Sequence, residues 1–476
     1  MVNQVKDLCG GSTRSSGWFV YFGAITASLT SFEIGACFVW ASPFIRRFLS
    51  DDVDNPLGRP ATQNESAWIV SAYNLGMIFG PFISMIILRY VTKKTMLLIA
   101  MAHKAIAFSI CIFASDVYVF IGARFLMGLG TGCVYSSINP FIGEIAEDNI
   151  RGALGLFPGT ATYLGNLYSY VIGPYVTMTW FSVALLVPLV AFFVAFGYFV
   201  PDSPYDLLMK NHADKAKESL RRLRGRDDID GELSIIKATI ESRMSEKIRP
   251  MDILRDYETR KALMYCIILM IIQQFAGIGA IVSYAEVIFR QTANLIPPSL
   301  SAISLALGGL VGNIGCVLLV DKFGRKLLLT TSCALLTPCL IAVGAYFYLY
   351  DHHYDVSSIY WLPTVSLLLF VASHSFGMST TPWLLMGELF HPKVKPFTST
   401  IASLTACLCS FTVSLSFPFM LSDFGMTYTC GSFAFVTICG ILFCSLLLPE
   451  TKCKSFQEIQ CILGRGKRKT DSSDKC

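Results

Sequence analysis

Apolar positions in this chain neither alternate nor keep to one helical face; they run together in long blocks. Blocks of about 20 residues, the length needed to cross a hydrocarbon layer of roughly 30 Å, occur twelve times. They begin near residues 18, 67, 95, 117, 152, 178, 262, 297, 327, 360, 397 and 425. Buried helices of a large soluble enzyme would carry polar faces on most such segments, and here Glu33, Lys104 and Arg124 are rare exceptions. The pattern predicts an all-α membrane protein of twelve transmembrane helices. The first block is preceded by a polar stretch, lacks a clear small-residue cleavage site and is too long for a signal-peptide core, so it is expected to remain as the first span.

The blocks fall into two sets of six. GEIAEDNIR at 143–151 matches GELFHPKVK at 387–395 in its Gly, its Glu and a base seven positions after that Glu. PDS at 201 and PET at 449 each close the sixth block of a half, and RYVTKK at 89–94 and DKFGRK at 321–326 each follow a second block. This duplication predicts a tail over 1–17, a six-helix bundle over 18–200, a helical linker over 201–261, a second bundle over 262–449 and a tail over 450–476. Within the linker, ADKAKESLRRLRG reads as a short amphipathic helix, with a flexible connection as the alternative.

Composition agrees with burial in lipid: 53% of residues are apolar and 15% charged, against roughly 25% charged in soluble domains. Basic loops stay on the cytoplasmic side. With both termini placed there, the outward loops hold only Arg46, Arg47, Arg59 and Arg290, whereas fourteen Lys and Arg lie between Lys210 and Lys261. The net charge of +5 therefore reflects loop bias, and no nucleic-acid partner is expected. The sequon Asn64-Glu65-Ser66 falls in the first outward loop, where a glycan is expected. The sixteen Cys lie mostly within apolar blocks, as small core residues and not as a disulfide framework.

The charges of DKFGRK need a reason in so apolar a chain. Two antiparallel spans require a short polar turn, with Gly324 free to take a left-handed conformation. Lys93, Lys94, Glu144, Arg151 and Asp202 in one half, and Asp321, Arg325, Lys326, Glu388, Lys395 and Glu450 in the other, all fall at cytoplasmic span ends. Collected on one face of two rigid bundles, they are expected to form a gate that latches when the bundles meet; surface pairs worth about 0 to 1 kcal/mol each are the alternative.

These residues resemble the sugar porters of the major facilitator superfamily, and within them the insect facilitated trehalose transporters. The resemblance rests on Arg124 with Gly128 and Gly132, GEIAEDNIRG, PDSP before LRRLRG, QQFAGI at 273–278, DKFGRK, PWLLMGE at 382–388 and PETKCKSFQEI at 449–459. WASP at 40–43 resembles the trehalose subgroup in particular. The resemblance implies the major facilitator fold, a plasma-membrane sugar carrier working by alternating access, and no cofactor. Its partners are then a sugar, membrane lipid and, if coupled, protons. By spacing it implies substrate contacts at Gln273, Gln274, Tyr284 and Trp383, with Asn166 about one turn from another such position.

Departures from the family pattern shape the expected pocket. Gly159 stands where family members have a span 5 Gln, Gly279 where they have a span 7 Asn, and Ala406-Cys407 where they have Asn-Trp. Each lost amide removes about 0.5 to 1.5 kcal/mol of net hydrogen bonding, so the pocket is expected to be larger and less polar. It suits a bigger disaccharide, a less hydroxylated solute or a weakly held sugar. Arg89 in place of an Asp is expected to weaken the latch in the first half. Glu33 and Arg124 each lie seven residues from an outer span end, so they are expected to meet about 10 Å deep. The family puts a proton-coupling Asp at the Glu33 position, opposite the Arg that Arg124 matches. A facilitative carrier, a proton symporter using Glu33 and a non-transporting sensor are the readings left open; the 27 residues after Pro449 are short for a sensor tail. An enzyme is not expected, because no phosphate-binding GxxxxGK[ST] loop and no metal-spaced Cys/His cluster occurs.

Overall fold

The computed structural model describes residues 18–51, 55–147, 150–244, 257–290, 297–390, 394–452, 454, 458–459 and 461–463. The first bundle contains α1 (Trp18–Val39), α2 (Gln63–Ile87), α3 (Lys93–Phe113), α4 (Val117–Ile145), α5 (Phe157–Ile172) and α6 (Met178–Phe192). The second contains α7 (Tyr257–Phe275), α8 (Pro298–Phe323), α9 (Arg325–Asp351), α10 (Leu362–Ser373) and α11 (Lys395–Leu442). Among the described residues, ten helical segments are long and apolar enough to cross a membrane. They account for eleven of the predicted spans, because the last two form one segment, Phe397–Leu447, folded at Gly425. The twelfth is α5, only 16 residues long.

Polar side chains fix where the helices start. Thr62 and Glu65 form a capping box on α2: the Thr62 hydroxyl accepts from the Glu65 N–H at 3.2 Å and the Glu65 carboxylate from the Thr62 N–H at 2.7 Å. Asn64 is exposed in that first turn, so the sequon sits in a helix and not in a loop. Thr92 caps α3, and Asp116 caps α4 by accepting from the Tyr118 N–H at 2.7 Å. The linker holds helices Pro204–Met209, Ala213–Arg224 and Asp230–Met244, the second ended by Gly225 at φ 62°. The first described helix of the second bundle, Tyr257–Phe275, spans the predicted boundary at 262.

Inside each bundle, helices touch backbone to backbone at glycine. A Cβ on Gly128 would lie 1.9 Å from the Tyr73 carbonyl oxygen, and one on Gly76 would lie 2.1 Å from that of Phe125, so α2 and α4 admit no side chain between them. Gly35 and Gly165 lock α1 to α5 in the same way, a Cβ on either falling 1.9 Å from a carbonyl oxygen of the other helix. In the second bundle a Cβ on Gly312 would meet the Ala372 carbonyl oxygen at 2.1 Å. Small residues permit such approach, which is how helices associate where lipid offers no hydrophobic gain.

Replacing Gly128 with Val forces backbone apart along α2 and α4. A drop in the melting temperature of detergent-purified protein is expected, together with lost surface expression, whereas Gly143→Val, at a glycine with open space around it, leaves both unchanged.

Candidate functional site

Both bundles meet along one interface whose polar contacts run from the far face, opposite the linker, to mid-depth. Near the far face, Gln63 donates to the Pro418 carbonyl at 2.6 Å and to the Ser422 hydroxyl at 2.9 Å. The Tyr170 hydroxyl donates to the Val282 carbonyl at 2.6 Å, and the Glu286 N–H to the Ser42 hydroxyl at 3.4 Å. Deeper, Asn74 donates to Ser414 at 2.9 Å, Tyr163 to Ser379 at 3.1 Å, and Thr160 contacts Asn313 at 3.4 Å. Trp383 stacks across the interface on Tyr135, with rings 5° from parallel and centroids 6.2 Å apart.

The residues expected to hold substrate divide on inspection. Gln273 is buried, and its amide nitrogen donates to the carbonyls of Met378 at 2.7 Å and Ser379 at 3.0 Å. Those carbonyls belong to the last residue of a π turn, His374–Met378, and to the residue that follows it, where the tenth span breaks before Thr381–Leu389 resumes it. Ser332 braces the same turn, donating to the Ser373 carbonyl at 2.7 Å and accepting from the Met378 N–H at 3.1 Å. A π turn frees backbone groups that need partners, so Gln273 is occupied as a brace, with Gln274 donating to its oxygen at 3.3 Å. Tyr284 is buried against Phe417, ring centroids 5.2 Å apart, in the far-face seal. Asn166 keeps a buried side-chain oxygen without a hydrogen-bond partner, and Trp383 is 36% exposed. Asn74, Tyr135, Tyr163 and Asn313 are the interface residues that sequence reasoning missed. Amides and tyrosines inside otherwise apolar spans were the signal available.

Glu33 and Arg124 do not meet. The Arg124 guanidinium donates to the Cys37 carbonyl at 2.7 Å and the Ile69 carbonyl at 3.1 Å, and lies over the rings of Trp40 at 5.1 Å and Tyr73 at 4.7 Å. Carbonyl acceptors and aromatic faces satisfy the cation, so it needs no carboxylate. The charge acting on Glu33 is Lys104 from α3. Both side chains are fully buried and neither makes a hydrogen bond. An unpaired charge at such depth costs about 2.5 to 3.5 kcal/mol on insertion scales, which favours two opposite charges facing one interior.

At the linker face the expected gate residues assemble as two separate clusters. In the first half, Lys93 bonds Glu144 at 2.8 Å and pairs with Asp206, while Ser203 donates to Glu144 at 2.5 Å and Thr92 to Asp202. Asp206 and Arg224 were not foreseen; Arg224 anchors the linker by donating to the Ile145 carbonyl at 2.8 Å and pairing with Glu232 at 2.7 Å. Arg151 donates to the Gly143 carbonyl at 3.0 Å, and Lys94 feels the charge of Asp202 without forming an ion pair. In the second half, Arg325 pairs with Glu388 at 2.9 Å, and the Thr451 hydroxyl donates to Glu388 at 2.6 Å.

Glu450 gathers the backbone N–H groups of Arg325 at 3.0 Å, Lys326 at 3.1 Å, and Thr451 and Lys452 at 2.9 Å each. Burial opposes its ionisation, but those four donors outweigh burial and hold the carboxyl below the usual Glu range. Gly324, at φ 87°, leaves room for it: a Cβ there would lie 2.6 Å from the carboxylate. The side chains of Asp321 and Lys395 fall outside the described set. Every described ion pair at this face joins residues of one half. A latch of direct ion pairs between bundles is therefore absent among the described residues in this conformation, because each carboxylate is already engaged in its own half.

Comparison with known proteins settles the family. The family of sugar (and other) transporters matches residues 19–463. The chain belongs to that family. Among its relatives, facilitated trehalose transporter Tret1 of Bombyx mori is 28% identical over 463 residues, covering 96% of this chain and 89% of the relative. The Tret1 of Culex quinquefasciatus is also 28% identical, covering 92% and 84%. Of solved structures, the inward-open xylose transporter XylE from E. coli superposes with a TM-score of 0.77 at 21% identity, over 93% of this chain and all of that one. The proton:xylose symporter XylE bound to 6-bromo-6-deoxy-D-glucose gives 0.74 at 20% identity, over 94% and 100%. These likenesses give this sugar transporter the major facilitator fold.

Two outcomes follow for the family member described. Gln273→Leu removes the π-turn brace, so a melting-temperature drop larger than that of Gln274→Leu is expected, read by the fluorescence of purified protein. For Glu450, a depressed folded-state value means stabilisation present above the unfolded pKa and lost as pH falls through the folded one. The wild-type melting temperature should therefore fall more steeply than that of Glu450→Gln as pH drops from about 5 to 3, around and below the free-Glu pKa.

Proposed function

We propose that this transporter is a facilitative carrier of a sugar, trehalose or a hexose, that works by alternating access in the plasma membrane. It is not an enzyme. The linker face and both termini are cytoplasmic, in keeping with the basic residues of the linker. One observation carries the reading: described polar contacts join the bundles from the far face to mid-depth, while the linker-face ion pairs stay within their own halves. Such a molecule is sealed at one end and free to part at the other. The trehalose relatives support the substrate class.

The clusters around Glu144 and Glu388 act as gate elements by stiffening the span ends that must come together when the linker face shuts. A change of partner between states shifts the balance only by its differential contact energy. Lys104 supports the facilitative reading, because a second buried group of opposite charge acts on Glu33 and offsets part of its charge without a proton, although the two form no ion pair. Proton coupling at Glu33 is the second reading, supported by the absence of any hydrogen bond to that carboxylate.

Labelled trehalose and glucose in proteoliposomes, with and without an acid-outside gradient, separate the two. Equilibration without accumulation, unchanged in Glu33→Gln, is expected. Accumulation above equilibrium that disappears in Glu33→Gln would sink the facilitative reading, and no flux of either sugar would sink the carrier reading itself.

A further inference from the structure

Two glycines stand at the bundle interface, Gly159 facing a polar side chain of the opposite half and Gly279 facing two serines of its own half and the Phe38 ring of the other. A Cβ on Gly159, in α5, would lie 3.6 Å from the amide nitrogen of Asn313 and 4.0 Å from its oxygen, across the interface in α8. A Cβ on Gly279, in the helical turn Ile278–Ser283, would lie 3.7 Å from the Ser410 hydroxyl, 3.9 Å from the Ser414 hydroxyl and 3.8 Å from the Phe38 ring. Ser414 accepts the amide hydrogen of Asn74, from α2 in the other half, at 2.9 Å. Each glycine thus opens a space bordered by an amide of the opposite bundle, directly at Gly159 and through Ser414 at Gly279.

Depth places both amides near mid-membrane. Asn74 is about 16 Å along α2 from its far-face start at Gln63, and Asn313 about 22 Å along α8 from Pro298, at 1.5 Å per residue. Asn74 is 4% exposed and Asn313 2%. The amide oxygen of Asn74 is buried with no hydrogen-bond partner, a state that buried polar atoms rarely keep. The contact between Thr160 and Asn313 is long, at 3.4 Å. Neither amide is therefore fully used in this conformation. Neither position carries a charge, which fits a neutral ligand rich in hydroxyls, each able to donate to an amide oxygen and accept from an amide nitrogen.

We propose that Asn74 and Asn313 are the amides that read the substrate's hydroxyls, one from each bundle, and so set its specificity. The proposal rests on the sugar-carrier reading. When the bundles part, the Asn74–Ser414 and Thr160–Asn313 contacts break, and hydroxyls of the entering sugar take their place. The ligand then bridges both bundles by the same two groups that seal them when it is absent.

The test reconstitutes Asn74→Ala and Asn313→Ala and measures trehalose and glucose uptake, with the melting temperature as a control on folding. KM should rise about 5- to 10-fold in each variant while kcat changes little, the size expected for one lost hydrogen bond. Gly159→Gln alone crowds Asn313 and should weaken binding. Gly159→Gln with Asn313→Gly returns an amide to that space from the other bundle and should bring KM back to within about 2-fold of wild type. KM unchanged in both alanine variants, with or without a lower melting temperature, overturns the assignment and leaves the two amides as packing. Wild-type protein that moves neither sugar overturns the carrier reading and this assignment with it.

Discussion

Backbone contact at glycine is the constraint on which this molecule depends. Where α1 meets α5 and α2 meets α4, carbonyl oxygens occupy the positions that side chains would fill, and Gly312 does the same against Ala372 in the second half. Helices packed so closely cannot slide or rotate without collision, so each half behaves as one body. Freedom is thereby confined to the interface between halves, and the polar side chains there, among them Gln63, Asn74, Tyr135, Tyr163, Tyr170, Asn313 and Trp383, are ones whose contacts can change during a cycle.

Charge is handled in the same local way. Each half carries its own cluster at the linker face, built on a Glu that follows a Gly in the duplicated motif: Glu144 with Lys93, and Glu388 with Arg325. Asp206 and Arg224 extend the first cluster into the linker, which therefore moves with the first bundle. Within the membrane, Arg124 rests on two carbonyls and two rings, leaving Glu33 to Lys104. The second half pairs its buried Glu286 with Arg290 at 3.4 Å, near the far face, so the two halves share an architecture without sharing electrostatics.

Most of the fold was legible in the sequence, because apolar length and an internal duplication report spans and halves directly. Two span limits were not. The fifth helix is shorter than its apolar run, and the last two spans join without a loop because a single glycine makes the turn. The site was less legible. The pairing expected between Glu33 and Arg124 followed from equal depth alone, and depth does not reveal backbone carbonyls or ring faces that satisfy a guanidinium. Gln273 stands where a substrate amide was expected, yet a π turn that no residue pattern announces takes up its nitrogen. The charges expected at the linker-side span ends lie there among the described residues, while their partners within each half depended on Asp206, Ser203 and Thr451, whose contacts are visible only in three dimensions.

The fold at Gly425 bears on how the chain is made. With φ 77° and ψ 172° at that residue, the final two spans are continuous helix on either side of one reversal, where a Cβ would lie 3.9 Å from the carboxylate of Asp351. A ribosome delivers these spans with almost no polar segment between them, so the first has no loop long enough to commit to an orientation before the second emerges. They must enter the bilayer together as a hairpin, and biogenesis of the second half ends in one concerted insertion.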